Sequence, residues 1–521
     1  MLPGQLGSRL SIRLRRMIDL DRTRAEFLAE IEAQNLAADP VRDITDPRIA
    51  NTDVHLRLRG HGRDDLFPLL EIVLSDRFTA VSRAHLLSDL LIPLRNALGN
   101  ASKHGNGGDP AKAVVVEMAA TCKGLLIAIT DEGSGFDVAR TLQRYRAQQA
   151  YFANHGCGFR NLDRAMSTVS YEHGGRTILL CYRPPEQLPQ SFSSCPPGPP
   201  WLPEFSNARS LISCRVYPSA MRAGHACGRR YAVRFAGEES GEGEVDTRIL
   251  TGRLHATEAS ARADFEAARR LYDARISKRV RTPRPVARAT IEPRLVFYDF
   301  NPWMNLREYL THRRSLRSVR HASERIGQTL AALHKSQVTL PGMEPNESGA
   351  MLDMRIARAE ARLQTVAPGS DLIKRFNDCV QQPGEPCASL TPRKECPIHG
   401  ALEWDCILYG VDGDFYLYRF EECRRSDPGF DLGGFGADLL CFTLTYYDDA
   451  AYRMCRDEFL THYNAEAQDP MREEGLHFYT VLALCERLRP RQSDGKRRNA
   501  HLIAALGAAL RGGALPDQSN S

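Results

Sequence analysis

Apolar residues recur at three- and four-residue spacing through residues 82–104, at Leu86, Leu87, Leu90, Leu91, Leu94 and Leu98. That period predicts an amphipathic helix. Residues 23–36 carry Phe27, Leu28, Ile31 and Leu36 at helical positions and predict a shorter one. Apolar runs predict strands near 113–119 and 124–130, the second holding Leu125-Leu126-Ile127-Ala128-Ile129. A helix is expected near 158–166 and a strand near 176–182. Farther along, Tyr231–Phe235 and Leu295–Tyr298 read as strands and Ala259–Ala274 as a helix. Helices dominate from about residue 305 onward, and there is no internal repeat.

Prolines crowd residues 183–205. Proline fixes φ and removes a backbone donor, so the segment reads as a semi-extended linker between two large parts. The 521 residues suffice for two to four domains. Hydrophobic residues at 42% and charged residues at 26% are ordinary for a globular protein. A net charge of +5 is too small over this length to argue for nucleic acid. No apolar run approaches the roughly 20 residues that span a bilayer, and the N-terminus lacks the apolar core of a secretory signal. The 14 cysteines include no Cys-x-x-Cys pair, which argues against a zinc ribbon and for free thiols in a reducing cytoplasm.

The first candidate chemistry is Asp131-Glu132-Gly133-Ser134-Gly135-Phe136-Asp137, at the end of an expected strand. By itself Asp-x-Gly-x-Gly is a tight turn. Glycine also lets backbone approach a ligand, and a carboxylate accepts a hydrogen bond from an amino group. Upstream, Asn96, Asn100, Lys103 and His104 share a helix face that ends in glycine. An amide oxygen suits Mg²⁺ and a cation suits phosphate; a plain polar face with a glycine cap is the alternative. Downstream, Gly156-Cys157-Gly158 opens the expected helix, where free N–H groups favour anions. Gly174-Gly175-Arg176-Thr177 opens the last strand.

In this order the four elements resemble the GHKL ATPase superfamily of histidine kinases, heat-shock chaperones, gyrase and anti-sigma-factor kinases. The resemblance spans roughly residues 50–182, and Asn100–Asn106 with Arg164–Gly175 look most like the anti-sigma-factor serine kinase branch. It implies ATP as ligand. Asn100 would hold Mg²⁺, with Lys103 and His104 near the phosphates. Asp131 would read the adenine amino group with Thr177 beside it. Gly133 and Gly135 would shape the pocket, Gly156 and Gly158 would form the ATP lid, and Phe136 and Phe159 would lie alongside. One departure stands out. The anti-sigma kinases place a general-base glutamate four residues before the Mg²⁺ asparagine, and here that residue is Asn96. An amide takes no proton at neutral pH. Histidine kinases tolerate asparagine there but need a helical histidine-bearing domain, and His55, His61 and His85 lie in no recognisable phosphoacceptor motif.

From about residue 208 to 470 the succession of segments resembles the aminoglycoside-phosphotransferase branch of the protein-kinase-like fold. Its catalytic pattern is His-Gly-Asp with an asparagine five residues after the aspartate. Here His399-Gly400-Ala401 lacks the aspartate and Cys406 stands for the asparagine. After the hairpin turn Val411-Asp412-Gly413-Asp414, Arg419 stands where the Mg²⁺ aspartate would be. Arg234 takes the strand-lysine position, while Asp427-Pro428-Gly429-Phe430-Asp431-Leu432 keeps the structural pattern. Losing the base costs about 10²–10⁴ in rate, and a guanidinium at the metal position repels the ion. Glu403, Asp405, Glu421 and Glu422 are nearby acids.

The expected fold is therefore α+β and multidomain. It comprises a helical N-terminal extension (1–45), a GHKL (Bergerat) α/β sandwich (46–182), the linker (183–205), a kinase-like N-lobe (206–304) and a helical C-lobe (305–515). The expected protein is a cytoplasmic, bacterial ATP-binding regulator with Mg²⁺ as cofactor. It couples the ATP site to a pseudokinase and has a protein partner of the anti-sigma-antagonist kind. Neither nucleic acid nor membrane is a partner, and a homodimer is left open. An active serine, histidine or small-molecule kinase is the alternative.

Overall fold

The computed structural model describes residues 18–33, 39–50, 53–78, 81, 83–147, 168–183, 211–218, 228–236, 245–276, 280–288, 293–340, 348–381, 395–488 and 495–512. It is a mixed α/β structure with mainly antiparallel sheets. Two compact units divide the chain: Met1–Leu202 with Ala208–Ala220 and Arg230–Ile249, and Pro203–Asn207 with Met221–Arg229 and Leu250–Ser521.

In the first unit, β1 (Val54–Gly60), β2 (Val114–Ala120), β3 (Leu125–Asp131), β4 (Thr168–Glu172) and β5 (Thr177–Tyr182) form an antiparallel sheet of order β1-β2-β3-β5-β4. Helix α1 (Arg24–Glu30) covers part of one face. Phe27 and Ile31 pack on Ala119, Leu126, Ala128, Leu179 and Cys181. Thr23 and Glu26 cap α1 reciprocally, with bonds of 3.3 and 2.7 Å. The helix stops at Ile31, short of the expected 36, and Glu32 takes φ 55°.

Side chains alternate along a strand, so Val116, Met118, Ile127 and Ile129 face the opposite side, where they are buried. Helix α2 (Arg63–Arg77) and a second helical stretch belong to this side. That stretch runs through α3 (Arg83–Leu86), a π turn Leu87–Leu91, α4 (Ile92–Asn100) and a second π turn Ala101–Gly105. The six leucines of the expected helix are all buried. The π turns widen the helix, as the Asn106 N–H bond to Ala101 O at 2.8 Å shows. Helix α5 (Val138–Arg146) follows the Asp131 loop, capped by Asp137. The expected helix at 158–166 and most of the linker lie outside the described residues.

A second sheet has the order β10-β11-β8-β7-β6. Its strands are β6 (Leu211–Pro218), β7 (Gly228–Ala236), β8 (Val245–Leu254), β10 (Arg284–Arg288) and β11 (Leu295–Asp299), with β9 (Val280–Arg281) preceding β10 in the chain. The unit boundary runs through β8. In the second unit, α6 (Glu258–Ala274) is N-capped by Thr257, whose Oγ1 accepts from Ser260 N at 3.1 Å. A sheet of order β12-β14-β15-β9 uses β12 (Pro302–Asn305), β14 (Ile407–Gly410) and β15 (Phe415–Leu417). The expected hairpin turn joins β14 to β15, with Gly413 at φ 94°. The ribbon β13 (Cys396–Ile398) with β16 (Arg424–Ser426) lies apart from that sheet.

The remaining helices are α7 (Leu306–Arg313), α8 (Leu316–Lys335), α9 (Ser348–Val366), α10 (Asp371–Gln381), α11 (Gly429–Tyr446), α12 (Asp449–Asn464), α13 (Glu473–Arg487) and α14 (Gly495–Gly512). Helix α11 is almost wholly buried. Among the described residues, no helix is long and apolar enough to cross a membrane.

Candidate functional site

Asp131 closes β3 on the side of the sheet that faces the helices. Its Oδ1 accepts from Gly133 N at 2.9 Å, and its own N–H bonds Arg176 O at 3.0 Å. The second π turn runs directly beside it. A Cβ on Gly105 would lie 2.2 Å from Asp131 Oδ2, and one on Gly133 would lie 1.9 Å from Gly105 O. Both positions therefore require glycine. Asn106, buried, ties the loop down: its Oδ1 accepts from Glu132 N at 2.8 Å and its Nδ2 donates to Ala113 O at 3.1 Å. Gly135 takes φ 75° as the loop turns, and Phe136 N bonds Gly174 O at 2.9 Å. The Phe136 ring is exposed and meets Tyr171 edge-on. Burial pushes the Asp131 carboxyl above its usual range. The Gly133 N–H, Arg176 and Lys112 offset this only in part. The result is a half-desolvated acceptor at a strand end, bordered by backbone.

Asn96 is half-buried, whereas Asn100, Lys103 and His104 are exposed. Asn100 and Lys103 make no hydrogen bond to a described residue, so an amide oxygen and an ammonium are available to a ligand. Thr177 is placed differently from expectation. It stands opposite Thr130 across β3 and β5, its Oγ1 2.9 Å from Thr130 Oγ1 and 3.1 Å from His173 Nδ1. By alternation both threonines face the α1 side, so the Thr177 side chain is not beside the Asp131 carboxyl. An open cavity of about 670 Å³ lies on that α1 side. Arg24 crosses its wall, bonded to Glu117 at 2.9 Å and Glu172 at 3.3 Å.

The second unit holds a buried charge cluster. Arg253 on β8 donates to both oxygens of Glu421, at 2.7 and 2.6 Å, and to Asp264 on α6 at 3.2 Å. Fully buried Asp264 also accepts from Tyr298 Oη at 2.6 Å and Phe420 N at 2.7 Å, with His255 Nε2 at 3.0 Å. Burial alone would raise the Asp264 carboxyl, but Arg253, His255 and Tyr298 outweigh it and hold it low. His255, Asp264 and Glu421 offer converging ligand atoms, yet the Arg253 guanidinium stands among them and supplies the positive charge. Phosphoryl transfer in kinases needs a strand cation paired to a helix acid, plus a free metal-binding acid. Arg253 pairs with a helix acid, Asp264, and also takes up Glu421, the acid after β15. Arg234, the sequence-based candidate for the strand cation, instead bonds Asp43 at 2.8 Å.

In the segment after β13, Ala401 is exposed and Cys406 Sγ is buried, 3.5 Å from Ala401 O. Arg419 takes φ 73°. Asp431 holds the backbone of this segment, accepting from His399 N at 2.6 Å and Gly400 N at 2.9 Å. Asp405 accepts from Asn305 Nδ2 at 3.1 Å, and burial followed by Asp438 pushes its carboxyl up.

Residues 79–182 match the family model of the histidine kinase-like ATPase domain. No curated protein sequence matches the chain. Solved structures similar to it include a choline/ethanolamine kinase family protein from Mesorhizobium loti (14% identity, TM-score 0.37, 61% of this chain and 96% of that one). Choline kinase LicA from Streptococcus pneumoniae is another (13% identity, TM-score 0.36, 59% and 97%). A third is macrolide 2'-phosphotransferase MphH from Brachybacterium faecium (16% identity, TM-score 0.35, 60% and 96%).

Within the histidine kinase-like ATPase region, the structure brings Asp131, Gly133, Gly135 and Phe136 into one loop against the π turn that carries Lys103 and His104. Gly156, Gly158 and Phe159 lie outside the described residues. Gly105 was read only as a possible helix cap and Asn106 was given no role, although a Gly-Asn pair ending a helix is a turn signal. The Arg253–Asp264–Glu421 cluster had no local signal, since its members lie on three separate elements.

Proposed function

We propose that the histidine kinase-like ATPase region binds ATP with Mg²⁺ and serves as a nucleotide sensor. Asp131 accepts from the adenine amino group, Asn100 supplies an oxygen to Mg²⁺, and Lys103 and His104 meet the phosphates. The observation that carries this reading is the half-desolvated Asp131 carboxyl, fixed by Gly133 against Gly105 at the strand end. A polar ligand group restores the hydrogen bonds that burial denies it. Asn100 is a hard oxygen donor of the kind Mg²⁺ accepts. Asn96 supplies no base, which favours binding over turnover.

The second unit is read as a pseudokinase. Glu421, one of the acids close to the Arg419 position in sequence, is committed to Arg253, and Ala401 offers no base. The whole is read as a cytoplasmic regulator whose nucleotide state is conveyed to a protein partner. Calorimetric titration with Mg²⁺·ATP tests the site. Wild type binds, Asp131→Ala does not, and Asn100→Ala loses the Mg²⁺ dependence. Unchanged affinity in Asp131→Ala overturns the assignment.

A further inference from the structure

We propose that Glu324, Glu458 and His462 form a divalent-cation site, suited to Zn²⁺, that clips helix α8 to helix α12. These helices touch backbone to backbone: a Cβ on Gly327 would lie 2.6 Å from Phe459 O. That close crossing brings together side chains within a turn of it on both helices. Glu458 and His462 are four residues apart on α12, and His321 and Glu324 three apart on α8, so each pair shares a face.

One ligand atom from each of Glu324, Glu458 and His462 lies within 4.8 Å of the others. Glu458 Oε1 and His462 Nε2 are 3.4 Å apart. Bonds of about 2.1 Å in a tetrahedron give an edge of about 3.4 Å, so these two already stand at ligand spacing. A Glu324 carboxylate oxygen lies within 4.8 Å of both. His321 Nδ1, 3.4 Å from Glu324 Oε2, is a fourth donor within reach, with water as its substitute. Imidazole with two carboxylates suits zinc better than magnesium or calcium, which prefer all-oxygen shells.

The surroundings are ordered as a metal site needs. Arg320 donates to Glu458 Oε2 at 2.7 Å, leaving Oε1 directed at His462. The Gln328 amide lies 3.2 Å from His462 Nδ1, and its Oε1 is buried without a partner. Rotating that amide by half a turn lets Oε1 accept from Nδ1–H. The orphan oxygen is then satisfied, and His462 Nε2 presents its lone pair to the ion. A histidine ligand ordinarily has such a partner on its second nitrogen.

The test uses the full chain stripped with chelator, titrated with Co²⁺ by visible absorption and with Zn²⁺ by calorimetry. One equivalent of Co²⁺ is expected to give a tetrahedral spectrum without thiolate charge transfer, displaced by Zn²⁺. His462→Ala and Glu324→Gln abolish it, Gln328→Leu weakens it about ten- to hundredfold, and His501→Ala leaves it intact. Zn²⁺ raises the unfolding midpoint of wild type but not of Glu324→Gln. If His462→Ala fails to fold, the Glu324 and Gln328 variants decide. Absence of saturable binding, a thiolate signature, or binding indifferent to these variants overturns the site.

Discussion

Arg253 and Glu421 meet two bonds to two, at 2.7 and 2.6 Å. The pair joins β8 to the segment after β15, and Asp264 extends it to α6. One cation therefore serves two acids on separate elements.

Breaking this cluster from one side should be costly. Arg253→Met strips the buried Asp264 carboxylate of its main counter-charge, and orphaning a buried pair costs about 3–5 kcal/mol. Urea unfolding of the second unit should show a loss of about 3 kcal/mol. Glu421→Gln, nearer to solvent, should lose less. Mg²⁺·ATP affinity should be unchanged in both, because the proposed nucleotide site lies elsewhere. A loss under about 1 kcal/mol for Arg253→Met would class the pair with surface bridges.

Gly133 and Gly108 separate two reasons for glycine. An alanine at 133 drives its Cβ into the Gly105 carbonyl, which is backbone and cannot swing aside. Overpacking of this kind costs about 1–3 kcal/mol or more, and it displaces the Asp131 loop. Gly133→Ala should therefore lose both stability and ATP binding. Gly108 has φ 75° and open space around it. Gly108→Ala should cost about 1–2 kcal/mol for the left-handed backbone and keep ATP affinity. Urea melts with paired nucleotide titrations distinguish the two.

The elements best legible in sequence were those with a strong local period. Leu86 to Leu98 specify their helix because each apolar position is buried, and Leu125–Ile129 specify β3 for the same reason. Strand β1 carries an equally clear alternation of Val54, Leu56 and Leu58 with His55, Arg57 and Arg59, a signal the sequence reading does not use. Helix α1 ends early because Glu32 turns left-handed, which no hydrophobic pattern encodes. Thr177 shows the limit at a candidate site. Strand membership was evident, but one residue of register decides the face, and it falls opposite Asp131. The cation partner of α6 was illegible because nothing in the residues beside Arg253 marks it out from the other strand arginines. Only tertiary pairing with Asp264 selects Arg253.

Asp131 should make ATP binding depend on pH. Its folded pKa is raised above the unfolded value, with burial as the main cause. Folding then favours the protonated carboxyl. Stability is greatest below the unfolded pKa and is lost as pH rises through the folded one. Two results follow. At neutral pH, apo Asp131→Asn should unfold at a higher temperature than wild type, because no half-buried charge remains. ATP affinity of wild type should hold at neutral pH and fall as acid protonates the acceptor, while Asp131→Asn binds weakly throughout. Thermal melts and titrations across pH 4–8 read both. A pH-independent affinity would remove the carboxylate from the adenine contact.

Asn96 gives the sharpest test of sensing against turnover. It lies one helical turn before Asn100 and is half-buried. Wild type should release no phosphate above background from Mg²⁺·ATP at saturating nucleotide. Asn96→Glu supplies a proton acceptor at the same helical position without lengthening the side chain by more than one methylene. General-base catalysis contributes about 10²–10⁴-fold, so the variant should hydrolyse ATP at a rate at least about a hundredfold above wild type, with Mg²⁺ required. Combining it with Asp131→Ala should abolish the gain, which ties the activity to this pocket. Robust hydrolysis or protein phosphorylation by wild type, abolished by Asn100→Ala, would instead make the region a working enzyme.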